Sequence, residues 1–221
     1  MFEELKAQFI LNFITDNRWL SLINGLAVTL KITFFAVILG FILGFGVAVV
    51  RNIYDNTKKL KFLNFLCNIY LTVIRGTPVV VQLLIIYFVI FSSVRIDKSF
   101  AAILAFGINS GAYQAEIFRS GINSVPKGQM EAAQAIGMTW FQAFRRIVLP
   151  QATVFALPLF TNQFLNTMKS TSIVFVITVI ELFGAAKLYT EENSQYFEAY
   201  IVVAGLFWVM GIVFEFIFHR L

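Results

Sequence analysis

The chain has 221 residues, 59% of them hydrophobic and 13% charged, and its 26 phenylalanines help lift the aromatic share to 16%. Soluble domains carry about 25% charged residues, and a mean hydropathy of +0.80 describes a chain that cannot present water-compatible surface on every side. A cytosolic enzyme, a disordered chain and a small secreted module are excluded, which leaves an integral membrane protein.

One cysteine, Cys67, and one histidine, His219, exclude an intrachain disulfide and a structural Cys/His zinc site. The net charge of +5 forms no basic patch beside interleaved aromatics, so no nucleic-acid partner is expected. The charges sit mostly at the ends of apolar runs, where orientation in a bilayer is decided.

In chain order, Met1 to Phe13 carries Glu3 and Glu4 before any apolar stretch and lacks the positive start of a cleavable signal; it reads as mature protein. Phe2, Leu5, Phe9 and Phe13 recur at three- and four-residue intervals, predicting an amphipathic segment over 1–18 that lies along the outer membrane surface. Residues 19–221 form the expected transmembrane domain. A bilayer core needs about 20 apolar residues per helix, and five runs qualify: Trp19 to Val50, Phe62 to Phe91 with a break at Arg75-Gly76-Thr77-Pro78, Phe100 to Phe118, Ile147 to Met168, and Tyr196 to Phe218. Ile173 to Phe183 is too short to cross and is expected to be re-entrant or interfacial. Gly40 with Gly44, and Gly107 with Gly111, have the spacing that lets helices approach closely, here within the chain. The predicted fold class is all-α, without the period-2 alternation of a membrane barrel.

Five crossings put the termini on opposite sides. One side collects Arg51, Lys58, Lys59, Lys61, Arg119, Lys127, Arg145, Arg146 and Arg220; the other holds Lys6, Arg18, Arg95, Lys98 and Lys187. The excess of Lys and Arg places the first side in the cytoplasm, with the N-terminus out and the C-terminus in. The longest cytoplasmic connection, 119–146, predicts two helices: one opened by Pro126 and closed by Gly137, the next opened by a Thr139/Gln142 capping box and running through Arg146 towards Pro150.

Glu131-Ala132-Ala133, Gly137 six residues after the glutamate, then Ile147, Leu149 and Pro150 resemble the EAA signature of ABC importer permeases. Asn24-Gly25-Leu26 with Thr29-Leu30, Arg75-Gly76-Thr77-Pro78 followed by Gln82, and Ala112-Tyr113 with Glu116, Arg119, Pro126, Lys127, Gly128 and Gln129 resemble the polar amino acid (histidine, glutamine and glutamate) subfamily. The resemblance spans roughly Leu22 to the C-terminus. It implies a multi-pass permease subunit of a bacterial cytoplasmic (inner) membrane, paired with a second copy or a paralogue. Two cytoplasmic ABC ATPase subunits and an external solute-binding protein would complete the system. It also implies that the EAA loop is the coupling helix, with Glu131 and Gly137 its functional positions. No phosphate-loop motif occurs in the chain, so ATP and magnesium are expected on the partner and no cofactor on this subunit.

Polar residues inside the apolar runs have two readings each. Arg75 either snorkels to the inner face or serves as a gate or pathway residue. Glu116 and Arg119, three apart on a helix, are expected to pair with each other. Asn162, Asn166 and Lys169 or Ser170 form a polar stripe that either lines the translocation path or bonds across a helix interface. Gln82, Asn109 and Gln114 are weaker candidates of the same kind. The competing function is an ATP-independent channel or secondary transporter using Lys31, Glu181 and Glu215. A membrane enzyme lacks any catalytic constellation.

Overall fold

The computed structural model describes residues 6, 10, 14–193 and 196–220. The expected amphipathic stripe of Phe2, Leu5, Phe9 and Phe13 lies outside the described residues. Within them the regular elements are all helical. They are a 3-10 turn Thr15–Asn17, α1 (Arg18–Thr57), α2 (Lys61–Gly76), α3 (Val79–Leu84, continued by π turns Ile85–Ile90), α4 (Lys98–Asn123), α5 (Lys127–Ala135), α6 (Trp140–Ala143), π turns Phe144–Val148, α7 (Leu149–Ser170), a 3-10 segment Thr171–Ile177, α8 (Leu182–Asn193) and α9 (Tyr196–His219).

Among the described residues, three stretches are long and apolar enough to cross a membrane: Arg18–Asp55, Trp140–Ile177 and Tyr196–His219. A fourth is reached if α2 and α3, bent by 110° at their junction, count as one. Thr77 sits before Pro78 with an extended backbone (φ −123°, ψ 147°), because the proline ring excludes the helical region for its predecessor. The expected second crossing is therefore two helices, interrupted at the expected break. The expected third crossing is a helix, α4, but Asn109, Ser110, Gln114, Glu116 and Arg119 make it too polar to pass on apolarity. Its small residues are covered by protein instead: Ala101, Ala102, Ala105 and Ala112 are fully buried. A helix shielded from lipid does not need an apolar surface all round.

Two boundaries also differ. Helix α1 runs seven residues beyond the expected Val50, since nothing in Arg51 to Asp55 breaks it; it ends where Lys58 and Leu60 take left-handed φ of 58° and 59°. The second loop helix does not stop at Arg146 but runs on into the fourth expected crossing. The Leu149 N–H donates to the Phe144 carbonyl, an i−5 bond that shifts the ladder. Pro150 then falls in the first turn of α7, where a missing N–H is tolerated.

The chain divides into two compact units: residues 1–36, 79–106 and 165–221, and residues 37–78 and 107–164. In the second unit the glycine pairs set the packing. A Cβ on Gly40 would lie 2.9 Å from Ser110 Cβ, one on Gly44 2.9 Å from the Ala115 nitrogen, and one on Gly107 2.5 Å from a Leu39 methyl. These glycines serve contact within the chain, as expected from their spacing. Tyr70 donates to the Ile108 carbonyl at 2.6 Å, and Leu71, Ala112 and Ala115 close a core with Val47, Tyr70 and Ile74 around it.

In the first unit, Glu181 is completely buried and caps α8: its carboxylate accepts from the Phe183 and Gly184 backbones at 2.8 and 2.7 Å. The Leu182 N–H donates to Thr29 Oγ1 at 3.2 Å, and Thr29 Oγ1 reaches Glu181 Oε2 at 3.5 Å. Ile173 to Phe183 is thus a 3-10 segment, a left-handed Thr178 (φ 62°) and the start of α8.

Candidate functional site

The loop that carries the EAA pattern folds by local hydrogen-bond chemistry. At the end of α5, Gly137 has φ +90°, its N–H donates to Gln134 O at 3.0 Å, and the Met138 N–H donates to Ala133 O at 3.1 Å. These are the two bonds of a Schellman closure, which needs a left-handed residue and so favours glycine. Two residues on, Thr139 Oγ1 accepts from the Gln142 backbone at 3.3 Å while the Gln142 side chain accepts from the Thr139 N–H at 3.0 Å, the expected capping box.

The helical turn is fastened to the span that follows it. Gln129 of α5 and Gln151 of α7 exchange amide hydrogen bonds of 3.1 and 2.5 Å, and Gln151 also donates to the Ile147 carbonyl at 2.8 Å. Val125, Val148 and Ala152 are buried together, with Ile122, Met130 and Phe144 packed on them. Trp140 stacks on Phe144 with ring centroids 5.1 Å apart. Ala133 faces inward at 3% exposure, whereas Ile136 is 77% and Phe141 64% exposed. Glu131, Ala132, Gly137, Leu149 and Pro150 are exposed and Ile147 is half-buried. The element is thus a hydrogen-bonded pair of short helices that exposes the apolar side chains of Ile136 and Phe141 and the carboxylate of Glu131.

A second cluster forms where α1, α2 and α4 meet. Glu116 Oε1 accepts from Arg51 at 2.7 Å and lies 3.4 Å from Arg75; Arg119 pairs with Asp55 at 2.8 Å. Glu116 and Arg119 therefore pair with α1 and α2 rather than with each other, because Arg51 and Asp55, four apart on α1, match their register. Arg75 also lies over the Tyr113 ring, 5.9 Å from its centroid. Asn68, Thr72, Arg75 and Glu116 border a cavity of about 550 Å³. Sequence reasoning passes over Asn68 and Thr72; the signal was their spacing to Arg75, i, i+4 and i+7, one helical stripe.

The remaining candidates scatter. Gln114 is 1% exposed, and its Nε2 donates to Val37 O at 3.2 Å and Ser110 Oγ at 2.8 Å, so it sits in a helix contact. Gln82 is buried and Asn109 half-buried; Asn162, Asn166 and Lys169 are exposed along α7. Gly76, Thr77 and Pro78 make the bend after α2, with Thr77 Oγ1 donating to the Val73 carbonyl at 2.8 Å. Of the three charges assigned to an ion path, Glu181 is spent on capping α8, while Lys31 and Glu215 are exposed.

Residues 36–221 match the family of binding-protein-dependent transport system inner membrane components. The probable amino-acid permease protein YxeN of Bacillus subtilis is 38% identical over 199 residues, 88% of this chain and 87% of the relative. The L-cystine transport system permease protein TcyL of the same organism is 36% identical over 202 residues, 88% and 82% of the two chains. A crystal structure described as an amino acid ABC transporter with histidines superposes with a TM-score of 0.81 at 37% identity, covering 90% of this chain and 92% of the other. The inward-facing MetNI methionine ABC transporter shares the fold, with a TM-score of 0.77 at 19% identity, covering 93% and 96%. The chain belongs to the binding-protein-dependent permease family: it is a multi-pass inner-membrane component of an ABC importer. Membership implies an ATPase and a solute-binding protein as partners.

Proposed function

We propose that this chain is the permease subunit of an ATP-driven importer of polar amino acids, and that α5, Gly137 and α6 are the piece through which ATPase motion reaches the membrane. The relatives named for amino acids and cystine support the substrate class. In this reading the subunit pairs with a second copy or a paralogue above two ATPase subunits. It crosses the membrane five times, N-terminus out, with α4 the protein-shielded crossing.

The observation that carries the coupling role is the reciprocal bond between Gln129 and Gln151. In this reading a force applied at Glu131, Ile136 or Phe141 passes to α7 through the Schellman closure, the capping box and the amide pair. Closure of two ATPase subunits on nucleotide would then displace α7, and with it Asn162, Asn166 and Lys169. These side chains are the proposed lining of the translocation path, as exposed polar groups on a largely apolar helix. Arg75 and Gly76 end α2, Thr77 and Pro78 form the bend, and Gln82 lies in the first turn of α3.

Uptake of labelled amino acids into proteoliposomes holding the permease, its ATPase and its binding protein tests the function. Uptake that requires ATP and persists when ion gradients are collapsed supports it. Uptake driven by an ion gradient without ATP contradicts it and returns the channel or secondary-transporter reading.

A further inference from the structure

We infer that the cavity beside Arg75 and Glu116 is a subsite for the zwitterionic head of an α-amino acid, with Arg75 taking the carboxylate and Glu116 the ammonium group. The inference rests on the amino-acid import reading and adds the part of the substrate that is recognised and the residues that recognise it.

Both arginines contact the same oxygen of Glu116. Arg51 Nη1 is 2.7 Å from Oε1, and Arg75 Nη1 is 3.4 Å from it. The arrangement is lopsided: Arg51, whose side chain is 19% exposed, holds the carboxylate firmly, whereas Arg75, 46% exposed, touches it only at long range. Glu116 Oε2 remains as an acceptor beside Oε1, and Arg75 keeps Nε and Nη2 as donors. Two guanidiniums on one carboxylate leave the cluster with a surplus positive charge, since Arg119 is matched by Asp55.

The surroundings suit a small polar solute. A volume of about 550 Å³ falls inside the range of about 300–1,000 Å³ typical of small-molecule sites. Asn68 and Thr72 put an amide and a hydroxyl on the same wall. A Cβ on Gly76 would meet nothing within 4 Å, so the backbone at the end of α2 is open to approach. A guanidinium recognises a carboxylate through paired N–H donors, and the ring of Tyr113 holds the Arg75 guanidinium from one side. The Arg51 hydrogen bond is to Oε1, which leaves Oε2 as the acceptor assigned to the ammonium. Recognition confined to the α-amino and α-carboxylate groups would leave side-chain choice to the external binding protein.

The test uses the permease–ATPase complex in nanodiscs without binding protein. The probes are the amino acid taken up by the wild-type system, its decarboxylated amine and its N-acetyl derivative, each measured by equilibrium dialysis. Arg75→Gln is expected to weaken amino-acid binding about 10- to 100-fold and to leave the amine unchanged. Glu116→Gln is expected to weaken the amino acid and the amine but not the N-acetyl compound, and Arg75→Lys to recover part of the loss. If Arg75→Gln binds the amino acid as the wild type does, or weakens all three probes equally, the cluster is a structural ion pair and the inference fails while import stands. A wild-type system that imports no amino acid overturns the functional reading and this inference with it.

Discussion

Gln129 and Gln151 are hydrogen-bonded to each other in both directions across 22 residues of sequence. In the proposed coupling role the pair joins α5, the helix that would touch the ATPase, to α7, part of a stretch long and apolar enough to cross a membrane. If α5 acts as the proposed lever, this pair is its hydrogen-bonded joint to α7.

Replacing Gln151 by leucine removes both amide bonds and the donor to the Ile147 carbonyl. The expected loss is about 1–3 kcal/mol at the joint. Purified complexes should still assemble and hydrolyse ATP, with fewer solute molecules moved per ATP. Gln151→Glu keeps an acceptor for the Gln129 amide and should fall between.

Gly137→Ala tests conformation rather than space, because a Cβ there meets nothing within 4 Å. A left-handed alanine costs about 1–2 kcal/mol. The α5–α6 turn should lose amide-exchange protection at residues 136–139 while α7 and α9 keep theirs.

Gly25 packs against the backbone of Glu181, and an added Cβ would lie 2.8 Å from its carbonyl carbon and oxygen. Those atoms cannot swing aside as a side-chain end could. Gly25→Val should lower the melting temperature more than Gly46→Val, whose site is open; overpacking of this kind costs about 1–3 kcal/mol.

Glu181→Ala leaves the N–H groups of Phe183 and Gly184 without their side-chain acceptor. A lost cap costs about 0.5–2 kcal/mol, and burial raises the penalty for each orphaned donor. Proteolysis or amide exchange should show α8 opening first. Glu181→Gln, which retains one carbonyl oxygen, should be milder.

What could be read from the chain before the fold was seen depended on how far each interaction reaches. The Gly137 closure and the Thr139/Gln142 box involve residues a few positions apart, and residue type alone dictates their bonds. The break at Arg75-Gly76-Thr77-Pro78 was legible for the same reason, though its angle was not, since that depends on what α3 packs against. The partners of Glu116 were hidden because Arg51 lies 65 residues away; only the local neighbour Arg119 was visible. Gln114 illustrates the opposite case. Its polarity on an apolar helix marked it for a path, but Gly40 leaves room for its side chain in a helix contact. The expected boundary between the second loop helix, ending at Arg146, and the span beginning at Ile147 is absent, because the shifted ladder at Phe144–Val148 carries the helix through.

The most direct measurement of the central claim is the number of amino-acid molecules imported per ATP hydrolysed, taken in one proteoliposome preparation for the wild type, Glu131→Lys and Gly137→Asp at matched protein amounts. The account predicts that both variants fall well below the wild-type ratio while their ATPase subunits still hydrolyse ATP. A ratio equal to wild type in both variants would contradict it.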